Sequence, residues 1–128
     1  MIIGNGLIAS LFKETDREDV VFFASGVSNS LETRSEEFLR EENLIKKTIQ
    51  ENPEKIFVYF STCSVYDSSK TGSNYVLHKL KMEQLIKESV EHYLILRVSN
   101  AVGSEGIGNE VILHVGHPSV AEFYNIKI

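Results

Sequence analysis

A chain of 128 residues with 42% hydrophobic residues has room for one globular core and hardly for two. The net charge is −5, with acidic residues spread along the chain, which argues against a nucleic-acid or anionic-membrane surface; with no apolar run of spanning length and no secretory leader pattern, a cytoplasmic protein is expected. The single cysteine, Cys63, has no internal disulfide partner, and His78, His92, His114 and His117 share no metal spacing and read as surface or packing residues.

Met1–Ile3 reads as a minimal strand. It runs into Gly4-Asn5-Gly6-Leu7-Ile8-Ala9, a G-x-G-x-x-A between a strand and a helical spacing. Glycines let a backbone approach a pyrophosphate, and a helix N-terminus favours its charge. Gly4, Gly6, Leu7 and Ile8 are therefore candidate cofactor-binding residues, although a glycine turn between two core elements explains the motif equally simply. Asp19–Ala24 is a second, buried strand. It ends in Ser25-Gly26, where a flat ligand can lie close to the backbone; composition alone favours a plain surface loop.

Thr33-Arg34-Ser35-Glu36 has the form of a capping box opening a helix to about Gln50, with Phe38, Leu39, Ile45 and Ile49 on one side and Asn52-Pro53 as the stop. Asn43, four residues after Leu39, is expected to face the protein, as a core amide or as a site residue, the first being preferred from the residues alone. Lys55–Phe60 is a continuous apolar run, as in a parallel sheet buried on both faces. Its carboxyl end, where ligands bind in open α/β sheets, carries small hydroxyl residues.

A helical pattern follows from about Asn74 to Val90, with Val76, Leu77, Leu80, Ile86 and Val90 expected inward and Lys81, Lys87 and Glu88 solvated. Tyr75 and Lys79, four apart, share one face. Together with Thr62 they supply a hydroxyl, a phenol and an ammonium, the means to move a proton on and off an alcohol oxygen. Tyr93–Val98 is a fourth strand. Ser104–Asn109 reads as a loop, Val111–Val115 as a short strand and Ser119–Tyr124 as a short helix. The alternation predicts an α/β fold: a reduced Rossmann-like domain over residues 1–104, with a parallel sheet of about four strands flanked by helices, then a short tail over 105–128.

In this order the blocks resemble the extended short-chain dehydrogenase/reductase family, the NAD-dependent epimerase/dehydratase type. Ser61-Thr62-Cys63-Ser64-Val65-Tyr66-Asp67 is similar to its S-S/T-x-x-V-Y-G segment, Tyr75-x-x-x-Lys79 to its Y-x-x-x-K, and Leu96–Gly103 to its L-R-x-x-N-V-Y-G; Asp19–Ala24 resembles its D-V-V-x-H-L-A-A strand. A second Y-x-x-x-K, Tyr66 with Lys70, lies in a Ser-, Gly- and Asp-rich stretch unsuited to a helix, so Tyr75 and Lys79 are taken.

The resemblance implies catalytic roles for Thr62, Tyr75, Lys79 and Asn43. It implies cofactor contacts from Gly4, Gly6, Leu7, Ile8, Ser25, Gly26, Tyr75 and Lys79, and substrate contacts from Ser64 and Asn100. Lys79 and the cofactor's positive nicotinamide are expected to bring the Tyr75 phenol toward working pH, and Lys79 to hold the nicotinamide ribose. The resemblance further implies NAD or NADP as cofactor, a nucleotide sugar as substrate, and a homodimer through the Asn43 and Tyr75 helices. Two of the family's strands, the acidic residue expected about 20 positions past the glycines and most of its C-terminal domain have no counterpart. The chain therefore reads as a shortened or truncated member, and the alternative expectation is a non-catalytic module binding a nucleotide or a protein.

Overall fold

A computed structural model describes residues 1–6, 9–10, 13, 17–27, 29 and 31–98, and the backbone of 111–115. Five strands form one sheet in the order β1-β2-β3-β4-β5: β1 Ile2–Ile3, β2 Val20–Phe23, β3 Ile56–Thr62, β4 Tyr93–Val98 and β5 Val111–Val115. The first four are parallel, with Ile2 beside Phe22, Phe22 beside Val58 and Val58 beside Leu94. β5 runs antiparallel to β4, Leu113 opposite Leu96. The sheet thus continues past the domain boundary expected at residue 104.

Helix α1 spans Ser35–Glu51, between β2 and β3, and α2 spans Asn74–Ser89, between β3 and β4. The fold is the expected α/β arrangement, a parallel Rossmann-like sheet with helical crossovers. Strand order follows chain order, so successive right-handed crossovers step the same way and set their helices on one side of the sheet.

That arrangement explains the fully apolar strands. Val21, Phe23, Phe57, Tyr59 and Ile95 face the helices and pack with Ile45 of α1 and Met82 and Ile86 of α2. By the two-residue alternation, Val20, Phe22, Val58, Phe60, Leu94 and Leu96 form a second buried cluster on the opposite face. Each such side chain contributes roughly 1.5–3 kcal/mol by leaving water.

Both helices sit in a different rotational phase from the one their leucines suggest. On α1 the buried positions are Glu41, Ile45 and Thr48, while Leu39 is exposed and Asn43 with it. On α2 they are Tyr75, Val76, His78, Lys79, Met82, Glu83 and Ile86, while Leu77 and Leu80 are exposed. The expectations that Asn43 on α1 and Leu77 and Leu80 on α2 point inward are corrected. The start of α1 is corrected too. Its N-cap, Arg34, makes no side-chain cap bond, and the Glu32 carboxylate instead accepts from the Thr33 and Arg34 amides and the Arg34 guanidinium. α2 is capped by Ser73, whose Oγ accepts from Val76 N at 3.1 Å. Between β3 and α2 the chain makes two short 3-10 turns, Cys63–Tyr66 and Ser68–Lys70. No described helix is long and apolar enough to cross a membrane.

Candidate active site

Four parallel strands bring their carboxyl ends to one edge of the sheet. There the Gly4–Gly6 segment follows β1, Ser25-Gly26 follows β2, and Thr62–Ser64 closes β3. α2 begins at the same edge, which puts Tyr75 in its first turn and Lys79 one turn on. Both side chains are buried, with Tyr75 7% and Lys79 2% exposed.

Thr62 Oγ1 accepts from Ser64 N at 3.1 Å. Thr62 also stands near enough to the Tyr75 phenol to draw its pKa down. Lys79 Nζ lies 5.7 Å from the centroid of the Tyr75 ring and 5.1 Å from that of Tyr59. The three groups that share a surface in the sequence reading are therefore together in the fold.

At the centre of the site stands a residue the sequence reading passed over. Glu41 is fully buried. Its Oε1 accepts from Val27 N at 3.0 Å and lies 2.9 Å from His78 Nε2; its Oε2 accepts from the Tyr59 hydroxyl at 2.5 Å. Lys79 Nζ approaches the two oxygens at 3.5 and 3.3 Å. His78 is held further by stacking on Phe38, ring centroids 4.5 Å apart. A buried carboxylate needs such partners, since an unpaired one costs several kcal/mol. The signal was present in the spacing, as Glu41, Ile45 and Thr48 lie three and four apart on one helical stripe.

The charges act on one another. Burial alone pushes the Glu41 carboxyl up, but the Lys79 charge and the hydrogen bonds from His78, Tyr59 and Val27 more than offset it and hold it at about 2. Burial drives Lys79 down, against the pull of Glu41. Burial and then the Glu41 charge push the Tyr75 phenol up to about 12, the nearby Thr62 only moderating the rise. The phenol is thus held above its ordinary value, with the buried Lys79 ammonium facing Glu41.

The other candidate residues fall as follows. Gly4 has φ of 120°, and a Cβ there would lie 2.5 Å from Ala24 O, so only glycine fits against the end of β2. Gly6 is exposed, with nothing within 4 Å of a Cβ position. A Cβ on Gly26 would stand 2.6 Å from Glu41 Oε2 and 2.8 Å from Lys79 Nζ, so on that side its open space is taken by the ion pair rather than left for a ligand. Ser25 O accepts from Arg40 Nη1 at 3.0 Å. Ser64 serves Thr62 through its amide. Asn43, on the outer surface of α1, is not brought into this group. Leu7, Ile8 and Asn100 lie outside the described residues.

Beside this group a second network joins Ser61 Oγ to Glu83 Oε2 at 2.6 Å and Arg97 to both Glu83 oxygens, at 3.1 and 2.7 Å. Arg97 Nη1 also donates to Tyr66 OH at 2.9 Å, and its guanidinium lies over that ring. Tyr66 is thus an exposed residue of a 3-10 turn, tied to Arg97 rather than to Lys70 in a helix. Among the described residues no group of three or more His, Cys, Asp or Glu is placed to hold a metal ion.

No family model, no curated protein and no solved structure matches this chain.

Proposed function

We propose that this chain binds NAD or NADP at the carboxyl ends of β1 to β3 and moves a proton to or from a carbinol oxygen of a small molecule, with a nucleotide sugar the favoured class. The observation that carries the reading is the buried Tyr75 phenol beside the Lys79 ammonium, next to the β3 end that holds Thr62, at the strand edge where ligands of open α/β sheets bind. The resemblance to the epimerase/dehydratase type of short-chain dehydrogenase/reductase supplies the chemical class.

The residues present fit a dinucleotide at Gly6, whose open Cβ position admits a pyrophosphate against the backbone. When bound, the nicotinamide supplies the hydride chemistry. Thr62 would hold the substrate oxygen, with Ser64 and Asn100 as further substrate contacts by resemblance. Tyr75, kept as a phenol, is suited to donate a proton to an oxygen that is gaining charge. Lys79 would offer its ammonium to the ribose hydroxyls. The test is thermal protection by NAD, NADH, NADP and NADPH. A nucleotide at a hundred times its Kd is expected to stabilise the fold by about 2.7 kcal/mol. No protection by any of the four at millimolar concentration would overturn the reading.

A second reading is favoured by the Glu41–Lys79 pair itself, which leaves the ammonium matched and the phenol high. It is a non-catalytic module of the same ancestry that binds a nucleotide or a protein. Protection without turnover, unchanged by Tyr75→Phe, would select it.

A homodimer through α1 and α2 belongs to the same proposal. Leu39, Leu77 and Leu80 give these neighbouring helices exposed apolar side chains, and Lys81 of α2 bonds Glu42 of α1 at 3.0 Å across their seam. Burying such a surface against its copy suits so small a core. Sedimentation at micromolar concentration should show a dimer, and Leu77→Glu should yield a monomer.

A further inference from the structure

We infer that Glu41 is the positioning residue of the site, an internal counter-ion that fixes the Lys79 ammonium between the Tyr59 and Tyr75 rings. The inference rests on the assignment of Tyr75 and Lys79 as the proton-transfer pair.

Four separate elements converge on this carboxylate: the segment after β2 through Val27 N, β3 through Tyr59, α2 through His78 and Lys79, and α1, which carries it. Lys79 is a long flexible chain and would not keep its place without a partner. Buried ion pairs can commonly be replaced by apolar residues of similar size at no loss, whereas this one is built into a polar group with the Tyr59 hydroxyl and His78. At 3.3 and 3.5 Å the ammonium is attracted to the carboxylate without the short bonds of a tight charge-assisted pair, about 2.7–2.9 Å. Its protons therefore stay available to an incoming hydroxyl while its position is set.

The charged and titratable groups facing Tyr75 and Lys79 are Glu41 and Arg40 of α1, Tyr59 of β3, and His78 and Glu83 of α2. Among the described residues Glu41 alone stands within hydrogen-bond reach of Lys79, and its negative charge acts on Tyr75 with the same sign as burial. Removing that charge isosterically would leave Lys79 without its counter-ion and Tyr75 without the negative charge that adds to the effect of burial.

The experiment is a pH titration of the protein carrying tyrosine labelled with carbon-13 at the ring carbon bonded to oxygen, with the Tyr75 signal assigned by its loss in Tyr75→Phe. In the unaltered protein Tyr75 should remain a phenol through about pH 11, one pH unit above an ordinary tyrosine at about 10. In Glu41→Gln its midpoint should fall while burial still holds it above the ordinary value, and Glu41→Asp should keep it high. An unchanged midpoint in folded Glu41→Gln would overturn the inference. Should that variant not fold, the Glu41 carboxyl carbon of the unaltered protein decides. At pH 4, near the midpoint of an ordinary glutamate at about 4.3, it should still be ionised, and a half-protonated signal overturns the inference. Neither titration requires a nucleotide, so a failure here and a failure of dinucleotide binding are read separately.

Discussion

Gly26 and Glu41 exclude each other's side chains: the Cβ that Gly26 lacks would stand 2.6 Å from Glu41 Oε2. The glycine after β2 is therefore needed by the protein's own buried charge. Gly26→Ala must push apart the carboxylate and the Lys79 ammonium, 2.8 Å from the same point. The expected loss is that of an overpacked core, about 1–3 kcal/mol, read as a lower urea midpoint at unchanged slope.

Gly6→Val separates binding from folding. Nothing lies within 4 Å of its Cβ position, so the fold should tolerate a side chain there, with a melting temperature close to that of the unaltered protein. Nucleotide protection should disappear, because that side chain would fill the space proposed for the pyrophosphate. Unchanged affinity in a titration would remove the cofactor loop from this segment.

The two Y-x-x-x-K pairs should behave differently. Tyr75→Phe removes the proton donor next to Thr62 and should lower any turnover about a hundredfold or more, with cofactor affinity kept because the ring still packs. Tyr66→Phe takes away a partly exposed acceptor of Arg97 Nη1 and should leave both rate and affinity near their starting values. Steady-state kinetics giving the opposite order would overturn the site.

Acid should weaken the fold through Glu41. Its folded value of about 2 lies below the ordinary 4.5, so it binds its proton less readily when folded. The stabilisation is complete above pH 4.5 and is lost as pH falls from there toward 2. Its size is about 3 kcal/mol at about 1.4 kcal/mol per pH unit. Urea unfolding at pH 6, 4 and 3 should show the decline, and Glu41→Gln should flatten it while lowering stability at pH 6.

The strands were legible because their apolar runs are continuous, and the junction of β3 with α2 because Thr62, Tyr75 and Lys79 fall at a strand end and four apart on a helix. The phases of the helices were not. Leu39, Leu77 and Leu80 drew the expected inner stripe toward themselves, whereas the stripe that packs carries Glu41, His78, Lys79 and Glu83. Hydrophobic pattern assumes that charge goes outward. Here buried charges satisfy one another across two helices, a long-range match between positions 41 and 79 that no local window contains. Asn43 was misplaced by the same assumption, two residues from the group that does face inward.

The sheet adds its strands in the order in which the chain is made. Each parallel strand pairs with the one before it in sequence, and no later strand inserts between two earlier ones. Loop closure then never spans more than one crossover, and nucleation is spared the distant pairings that slow other parallel sheets. As the polypeptide leaves the ribosome, β2, α1 and β3 can form a docked unit before α2 exists. The Glu41 carboxylate, made before Lys79, must meanwhile stay in water or take a proton. Closure of the Glu41–Lys79 pair thus waits for α2, which follows β3 and precedes β4 in the chain.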